Sequence, residues 1–147
     1  MGMPLDERLG GDVKRVEHEL MGVKQAVLRP VGLTVAQYAA LLVLAEQPGI
    51  SAAELARRCR VTPQTMTTIL RNLESAGLIE RAPHELHRNV LETRLTEAGR
   101  DTFEQADKRA SAVERRLSEE FTAKERDTLR ALLARCSAVL TDPSITT

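Results

Sequence analysis

Two helix-start signals crowd together in GISAAELARRCRVTPQTMTTILRNLESAGLIER, residues 49–81. The first is Ser51, with Glu54 three residues on, a capping box backed by Ile50 and Leu55 as a hydrophobic staple. The second is Thr62, an N-cap followed by Pro63 at the first helical position, where a missing N–H costs nothing. Val61 and Met66 can form its staple. Between the signals there is room only for a short helix ending near Arg58 or Cys59, then a break of about three or four residues. Met66, Ile69, Leu70 and Leu73 recur at helical spacing, so they form the buried face of the second helix, and Gly77 suits the residue just past its end. Two capped helices joined by so tight a turn predict a helix-turn-helix.

The flanking sequence extends this unit. LIERAPHELHRNVLETRL, residues 78–95, predicts a β-hairpin, with one strand over Leu78–Arg81, a second over Val90–Leu95 and a loop opening at Pro83. A hairpin directly after the second helix makes the unit a winged helix. Upstream, Leu9, Val13, Val16, Leu20, Val23 and Val27 form a heptad-like seam on a helix from Leu5 to about Arg29, stopped by Pro30 and Gly32. Thr34 with Gln37 caps a second helix that is apolar nearly all round and therefore buried. Downstream, Thr96 caps a long helix reaching about Glu120, with a seam of Phe103, Ala106, Ala110, Val113 and Leu117. TAKE, from Thr122 to Glu125, caps a last helix whose stripe is Leu129, Leu132, Leu133, Cys136, Val139 and Leu140, and TDPSITT reads as a frayed tail. The fold class is mainly α with a small β-hairpin. Residues 34–95 are expected to form a winged helix-turn-helix lobe, and residues 1–33 and 96–147 a helical dimerisation region. The long apolar seams of the end helices are most simply buried between two chains.

Composition narrows the function. Aromatics are scarce (Phe103, Phe121, Tyr38), so the core must be aliphatic. Net charge is zero, yet residues 51–94 carry seven basic and five acidic side chains, a modest excess in the middle of the chain. No apolar run is long enough to span a bilayer, and MGMPLDERLG lacks the pattern of a secretory signal, so a cytoplasmic protein without membrane contact is expected. There is no nucleophile elbow, no phosphate-binding glycine loop and no carboxylate pair in a plausible cleft, so no enzyme activity and no cofactor are expected. HELH, His84–His87, has the wrong histidine spacing for a zinc pattern and reads as a solvated wing tip. No other His, Cys and carboxylate group has metal-ligand spacing.

With the apolar stripe buried, the second helix of the pair presents Gln64, Thr65, Thr67, Thr68, Arg71 and Asn72. Gln and Asn can pair with adenine edges, Thr can meet a thymine methyl or a phosphate, and Arg can read guanine or phosphate. Threonine is a mediocre helix former, so three within four residues cost helix propensity that a purely structural surface would keep. Double-stranded DNA is the expected partner. Gln64, Thr65 and Thr68 would face bases, and Arg57, Arg71, Asn72 and Arg88 would serve phosphates or the minor groove. The alternative is a winged helix that binds protein rather than DNA, which a neutral or acidic surface on the Gln64–Asn72 face would favour.

ELARR, the threonine-rich helix, LESAGLIER, the wing and RLTEAGR together resemble the MarR family (multiple antibiotic resistance regulators), closely over about Leu33–Gly99 and in helix order over the whole chain. The resemblance implies a homodimeric repressor or activator on a palindromic operator, with recognition helices in successive major grooves and wings in the flanking minor grooves. It also implies a small phenolic or otherwise lipophilic effector bound between the dimer region and the DNA-binding lobe. His18 and Tyr38, on the first two helices, are candidate ligand-pocket residues.

Three positions depart from the family pattern. The wing's usual Asp-x-Arg falls on His87, Arg88 and Asn89, so the minor-groove role passes to Arg88 or Asn89, and His84 and His87 can add charge in mild acid. The recognition helix lacks an Arg near Thr68. The turn carries Arg60 where glycine is common, so Arg60 must accept an unusual backbone or the turn must differ. Cys59 lies among Arg57, Arg58 and Arg60, which could lower its pKa. Peroxide-sensing members, however, carry their cysteine near the N-terminal helix, where this chain has none. Cys59 and Cys136 are therefore expected to be free thiols.

Overall fold

The computed structural model describes residues 2–147. Six helices and one hairpin appear in the expected order: α1 Leu9–Leu28, α2 Val35–Glu46, α3 Ala52–Arg58, α4 Pro63–Ser75, β1 Ile79–Pro83, β2 Leu91–Leu95, α5 Glu97–Glu119 and α6 Ala123–Leu140. The chain divides into a unit ending at Ala110 and a second unit, Ser111–Thr147. No single helix among the described residues is long and apolar enough to cross a membrane.

In the first unit, the caps decide where helices begin. Thr34 and Gln37 form a complete capping box on α2. Ser51 accepts the Glu54 N–H, but the box on α3 is only half made, because the Glu54 carboxylate turns to Arg57 instead of the Ser51 backbone. Thr62 accepts the Thr65 N–H at 3.1 Å, and Pro63 occupies the first turn of α4 as expected. The first helix starts at Leu9, with its apolar seam, rather than at Leu5 as expected, since Leu5–Glu7 forms a separate 3-10 turn, and Pro30 lies in another, Arg29–Val31. Pro83 closes β1 rather than opening the loop. It pairs with Leu91 at the end of a two-stranded ladder, where every strand is an edge and a missing N–H is tolerated.

The core is aliphatic. Leu28 of α1, Leu41 and Leu44 of α2, Leu55 of α3, Met66, Leu70 and Leu73 of α4, and Ile79 of β1 are fully buried. Ala106 and Ala110 of α5 join them. Each such aliphatic side chain contributes about 1.5–3 kcal/mol on leaving water, so this cluster is the main stabilising force in the unit. Tyr38 is buried. Its ring stacks on Phe103 with centroids 6.2 Å apart, and its hydroxyl donates to the Asp107 carboxylate at 2.7 Å, fastening α2 to α5. The Thr96 hydroxyl donates to the Gly77 carbonyl at 2.6 Å and accepts the Gly99 N–H, so the wing's exit is tied to the end of α4.

Most of the N-terminal seam stays in solvent: Leu9, Val13, Val16 and Val23 are all exposed. In the second unit, Thr122 and Glu125 complete the capping box on α6. Arg126 Nη1 donates to the Ser118 and Phe121 carbonyls, both at 2.8 Å, and so fastens the first turn of α6 to the end of α5 and the connection that follows it. No residue of α6 is buried, and Leu129, Leu132, Leu133, Val139 and Leu140 are exposed. The tail does not fray: Pro143–Thr146 forms a 3-10 turn capped by Asp142.

Candidate nucleic-acid interface

α4 buries Met66, Ile69, Leu70 and Leu73 and exposes Gln64, Thr65, Thr67, Thr68, Arg71 and Asn72, as its sequence pattern requires. The polar groups are not equivalent. Thr67 and Thr68 donate their hydroxyls to the Pro63 and Gln64 carbonyls one turn back. The Thr65 hydroxyl accepts from Thr62 at 2.9 Å. Two of the three threonines thus have their hydroxyl protons engaged within the helix, and what they offer outward is chiefly a methyl group. That surface suits a thymine methyl better than a hydrogen-bonding base edge. The side chains of Gln64, Arg71 and Asn72 make no hydrogen bond or ion pair with the described residues, so their full bonding capacity faces solvent.

The cations around this face divide in the same way. Arg57 is held by Glu54 through its Nε at 2.8 Å and through Nη2, so its charge is largely spoken for within α3. Arg58, Arg60 and Arg71 have no such partner among the described residues. From Ser51 to Asn72 the chain carries Arg57, Arg58, Arg60 and Arg71 against Glu54 alone, a net charge of +3. The segment Ser51–Asn72, which comprises both helices and their turn, is therefore net basic, the sign that favours nucleic acid over a protein surface of no particular charge.

In the wing, Arg81 pairs with Glu74 at 3.7 Å and Arg94 with Glu80 at 3.1 Å across the strands. Arg88 is exposed at the tip, in a turn closed by the Val90 N–H on the His87 carbonyl. Of the wing arginines it is the one without an acidic partner among the described residues. Asn89 beside it is exposed too.

The two histidines are not surplus. His84 Nδ1 accepts the N–H groups of Leu86 and His87 at 3.0 and 3.2 Å, and its Nε2 lies 3.3 Å from the Glu92 carboxylate. His87 stacks on the His84 ring with centroids 5.4 Å apart. His84 therefore ties the loop's backbone to β2. Its spacing to Leu86 and His87 is that of a side chain capping its own turn.

Arg60 takes the unusual backbone rather than a different turn: its φ is 56°, the only positive value at a non-glycine among the described residues. Its exposed, unpaired guanidinium is absent from the set expected to face DNA. The sequence signal for it was the arginine at a position that calls for glycine.

His18 is exposed on α1, whereas Tyr38 is buried with its hydroxyl committed to Asp107. Burial pushes the Cys59 thiol above its ordinary value, and Arg58 pulls it back only in part. The expected lowering by neighbouring arginines is thus outweighed by desolvation. Cys59 and Cys136 are both free. Among the described residues no group of three or more His, Cys, Asp or Glu is placed to hold a metal ion.

The MarR family profile matches residues 31–88, the span from the end of α1 to Arg88 of the wing. The HTH-type transcriptional repressor Rv2887 of Mycobacterium tuberculosis is 36% identical over 133 residues, covering 90% of this chain and 96% of the relative. The chain belongs to the MarR family. Two solved structures of similar proteins bear on how a MarR fold is used. Rv2887 in complex with DNA shares 34% identity with a TM-score of 0.65, covering 92% of this chain and 98% of the other. CouR from Rhodococcus jostii RHA1, bound to p-coumaroyl-CoA, shares 26% identity with a TM-score of 0.80, covering 90% of this chain and 93% of the other. The helices and hairpin described above are the winged helix-turn-helix of a MarR regulator.

Proposed function

We propose that the chain is a homodimeric, sequence-specific DNA-binding repressor that inserts α4 into the major groove and the wing into the adjacent minor groove of a palindromic operator. The observation that carries this reading is the surface of α4. Gln64, Arg71 and Asn72 project unpaired from a helix whose opposite face is locked into the core, within a segment of net charge +3. Gln64, Thr65 and Thr68 face bases. Arg71 and Asn72 serve the backbone, as does Arg57 where Glu54 releases it, and Thr67 lines the groove with its methyl group. Arg88 enters the minor groove with His87 and Asn89 beside it.

Residues 34–95 act as the DNA-binding lobe, and residues 1–33 and 96–147 as the dimerisation region. The exposed seams on α1 and α6 support this division. Leucines and valines repeated along one helix face are seldom left in water by a soluble monomer, and a second copy of the chain would cover them. A phenolic compound is the class of effector that the p-coumaroyl-CoA complex of CouR supports. Tyr38 would offer such a ligand its ring rather than its hydroxyl, which Asp107 holds. The protein acts in the cytoplasm, where bacterial relatives meet their operators, and carries out no catalysis.

The test is selection of bound sequences from a random pool of duplex DNA, at low salt, with the dimer confirmed by sedimentation. An enriched palindrome with two half-sites about one helical turn apart is expected. A dimer that enriches no palindrome overturns sequence-specific reading.

A further inference from the structure

Three helices end in the same hydrogen-bonded hook. After α1, the Gly32 N–H donates to the Arg29 carbonyl and the Leu33 N–H to Leu28. After α4, the Gly77 N–H donates to Glu74 and the Leu78 N–H to Leu73. After α3, the Arg60 N–H donates to Arg57 at 3.2 Å and the Val61 N–H to Ala56 at 3.1 Å. This is the Schellman arrangement, and it requires its penultimate residue to be left-handed. The three values of φ are 79° at Gly32, 74° at Gly77 and 56° at Arg60.

Glycine adopts that conformation without penalty, whereas a side chain's Cβ then crowds the following carbonyl. The other two hooks show what this fold uses when only the turn matters. Nothing within the described chain offsets the strain at the third. The Arg60 side chain is exposed and makes no hydrogen bond or ion pair with the described residues. The one acid nearby in sequence, Glu54, is already held by Arg57. Backbone strain that the fold does not need is retained where a surface function uses the side chain. Arg60 stands in the connection between the two helices of the helix-turn-helix, two residues before the cap of α4.

We propose that Arg60 is a DNA-backbone contact, its guanidinium pairing with a phosphate at the edge of the groove that α4 enters. The inference rests on the DNA-binding function proposed above. Guanidinium suits the role because its planar fork matches two phosphate oxygens. The contact carries no base preference, so it strengthens binding to every sequence and fixes the register in which Gln64 and its neighbours meet the bases. The turn thereby gives up stability for charge at a place where Thr67 and Thr68 have none to offer.

The experiment compares the full chain with Arg60→Gly and Arg60→Asn, measuring thermal midpoint and the salt dependence of binding to a mixed-sequence DNA duplex. Arg60→Gly is expected to melt about 2–4 °C higher, because the strain is gone. Its slope of log affinity against log salt is expected to be shallower by about 0.9 per protomer, one lost phosphate contact. Arg60→Asn tolerates the left-handed backbone without charge, and should lose the same slope. A Gly variant that gains stability but keeps the wild-type slope overturns the contact and leaves the DNA-binding function standing. So does an Asn variant that keeps the slope, since glycine's flexibility would then be the cause of any loss. A Gly variant that melts lower overturns the strain premise and the inference with it. A wild-type dimer that binds no DNA even at low salt overturns the contact and the proposed function together.

Discussion

A Cβ placed on Gly99, in the first turn of α5, would stand 1.8 Å from the carbonyl oxygen of Leu78 and 2.7 Å from its carbonyl carbon. Leu78 is held where it is by two bonds, its N–H on the Leu73 carbonyl and its own carbonyl accepting the Thr96 N–H at 3.1 Å. The obstacle is backbone on both sides, so no side-chain rotamer can make room. Gly99→Ala is therefore expected to cost at least about 2 kcal/mol, the scale of overpacking a close contact. Urea midpoints of variant and wild type would measure it. The same contact sets the path from wing to α5, so the variant should also bind DNA more weakly than its stability alone explains. A wild-type midpoint would mean that the first turn of α5 can move away from Leu78.

The wing loop hangs on one imidazole nitrogen. His84 Nδ1 takes two backbone N–H groups, from Leu86 and His87, and these are the last anchors before Arg88. In His84→Ala the amide protons of Leu86 and His87 should exchange with solvent many times faster, with the rest of the hairpin little changed. His84→Asn places a carbonyl oxygen in a similar position and should restore much of the protection. Hydrogen exchange read residue by residue distinguishes the two. Equal protection in all three proteins would show that the loop is held by its own turn rather than by His84.

The helix starts were legible because a cap is a local event: Thr34, Thr62 and Thr122 each bond a backbone N–H three residues ahead, and the sequence alone places donor and acceptor. Burial of Met66, Ile69, Leu70 and Leu73 was legible because helical spacing carries it. Competition between partners was not legible. Glu54 chose Arg57 over the Ser51 backbone, which both broke the expected capping box and removed Arg57 from the freely available cations. The threonine hydroxyls of α4 turned inward to carbonyls that every helix offers, a choice that depends on rotamer rather than on sequence. Arg60 was legible as an anomaly but not as a surface group, since its exposure follows from how α3 packs.

Acid should weaken α6 at its start. The Thr122 backbone N–H, and then its side chain, hold the Glu125 carboxyl below its ordinary value of 4.5. A carboxylate whose folded pKa is depressed contributes stability that is present above the unfolded value and is lost as pH falls through the folded one. The contribution is thus complete at neutral pH and declines below about 4.5. Glu125→Gln keeps a hydrogen-bonding cap without the titrating group. The stability difference between wild type and Glu125→Gln should therefore shift against the wild type on going from neutral pH into that acidic range. A difference that stays constant with pH would mean the capping box contributes no charge-dependent stability.

Base reading and backbone binding are separable by substitution, because Gln64 and Arg88 sit on different elements with different partners available. Gln64 projects unpaired from the first turn of α4, and a bidentate contact to one base is worth about 1–3 kcal/mol of discrimination. Gln64→Ala should therefore relax preference at one base position of the selected site and barely change affinity for unrelated duplex. Arg88 is the wing arginine without an acidic partner, so Arg88→Ala should weaken binding to all sequences and lower the salt slope by about 0.9 per protomer. Selection profiles and salt titrations on the same duplexes give both readouts. Loss of specificity on Arg88→Ala together with the lower slope would show that Arg88 reads base edges in the minor groove as well as neutralising phosphate charge. An unchanged profile and slope would remove the wing from the interface altogether.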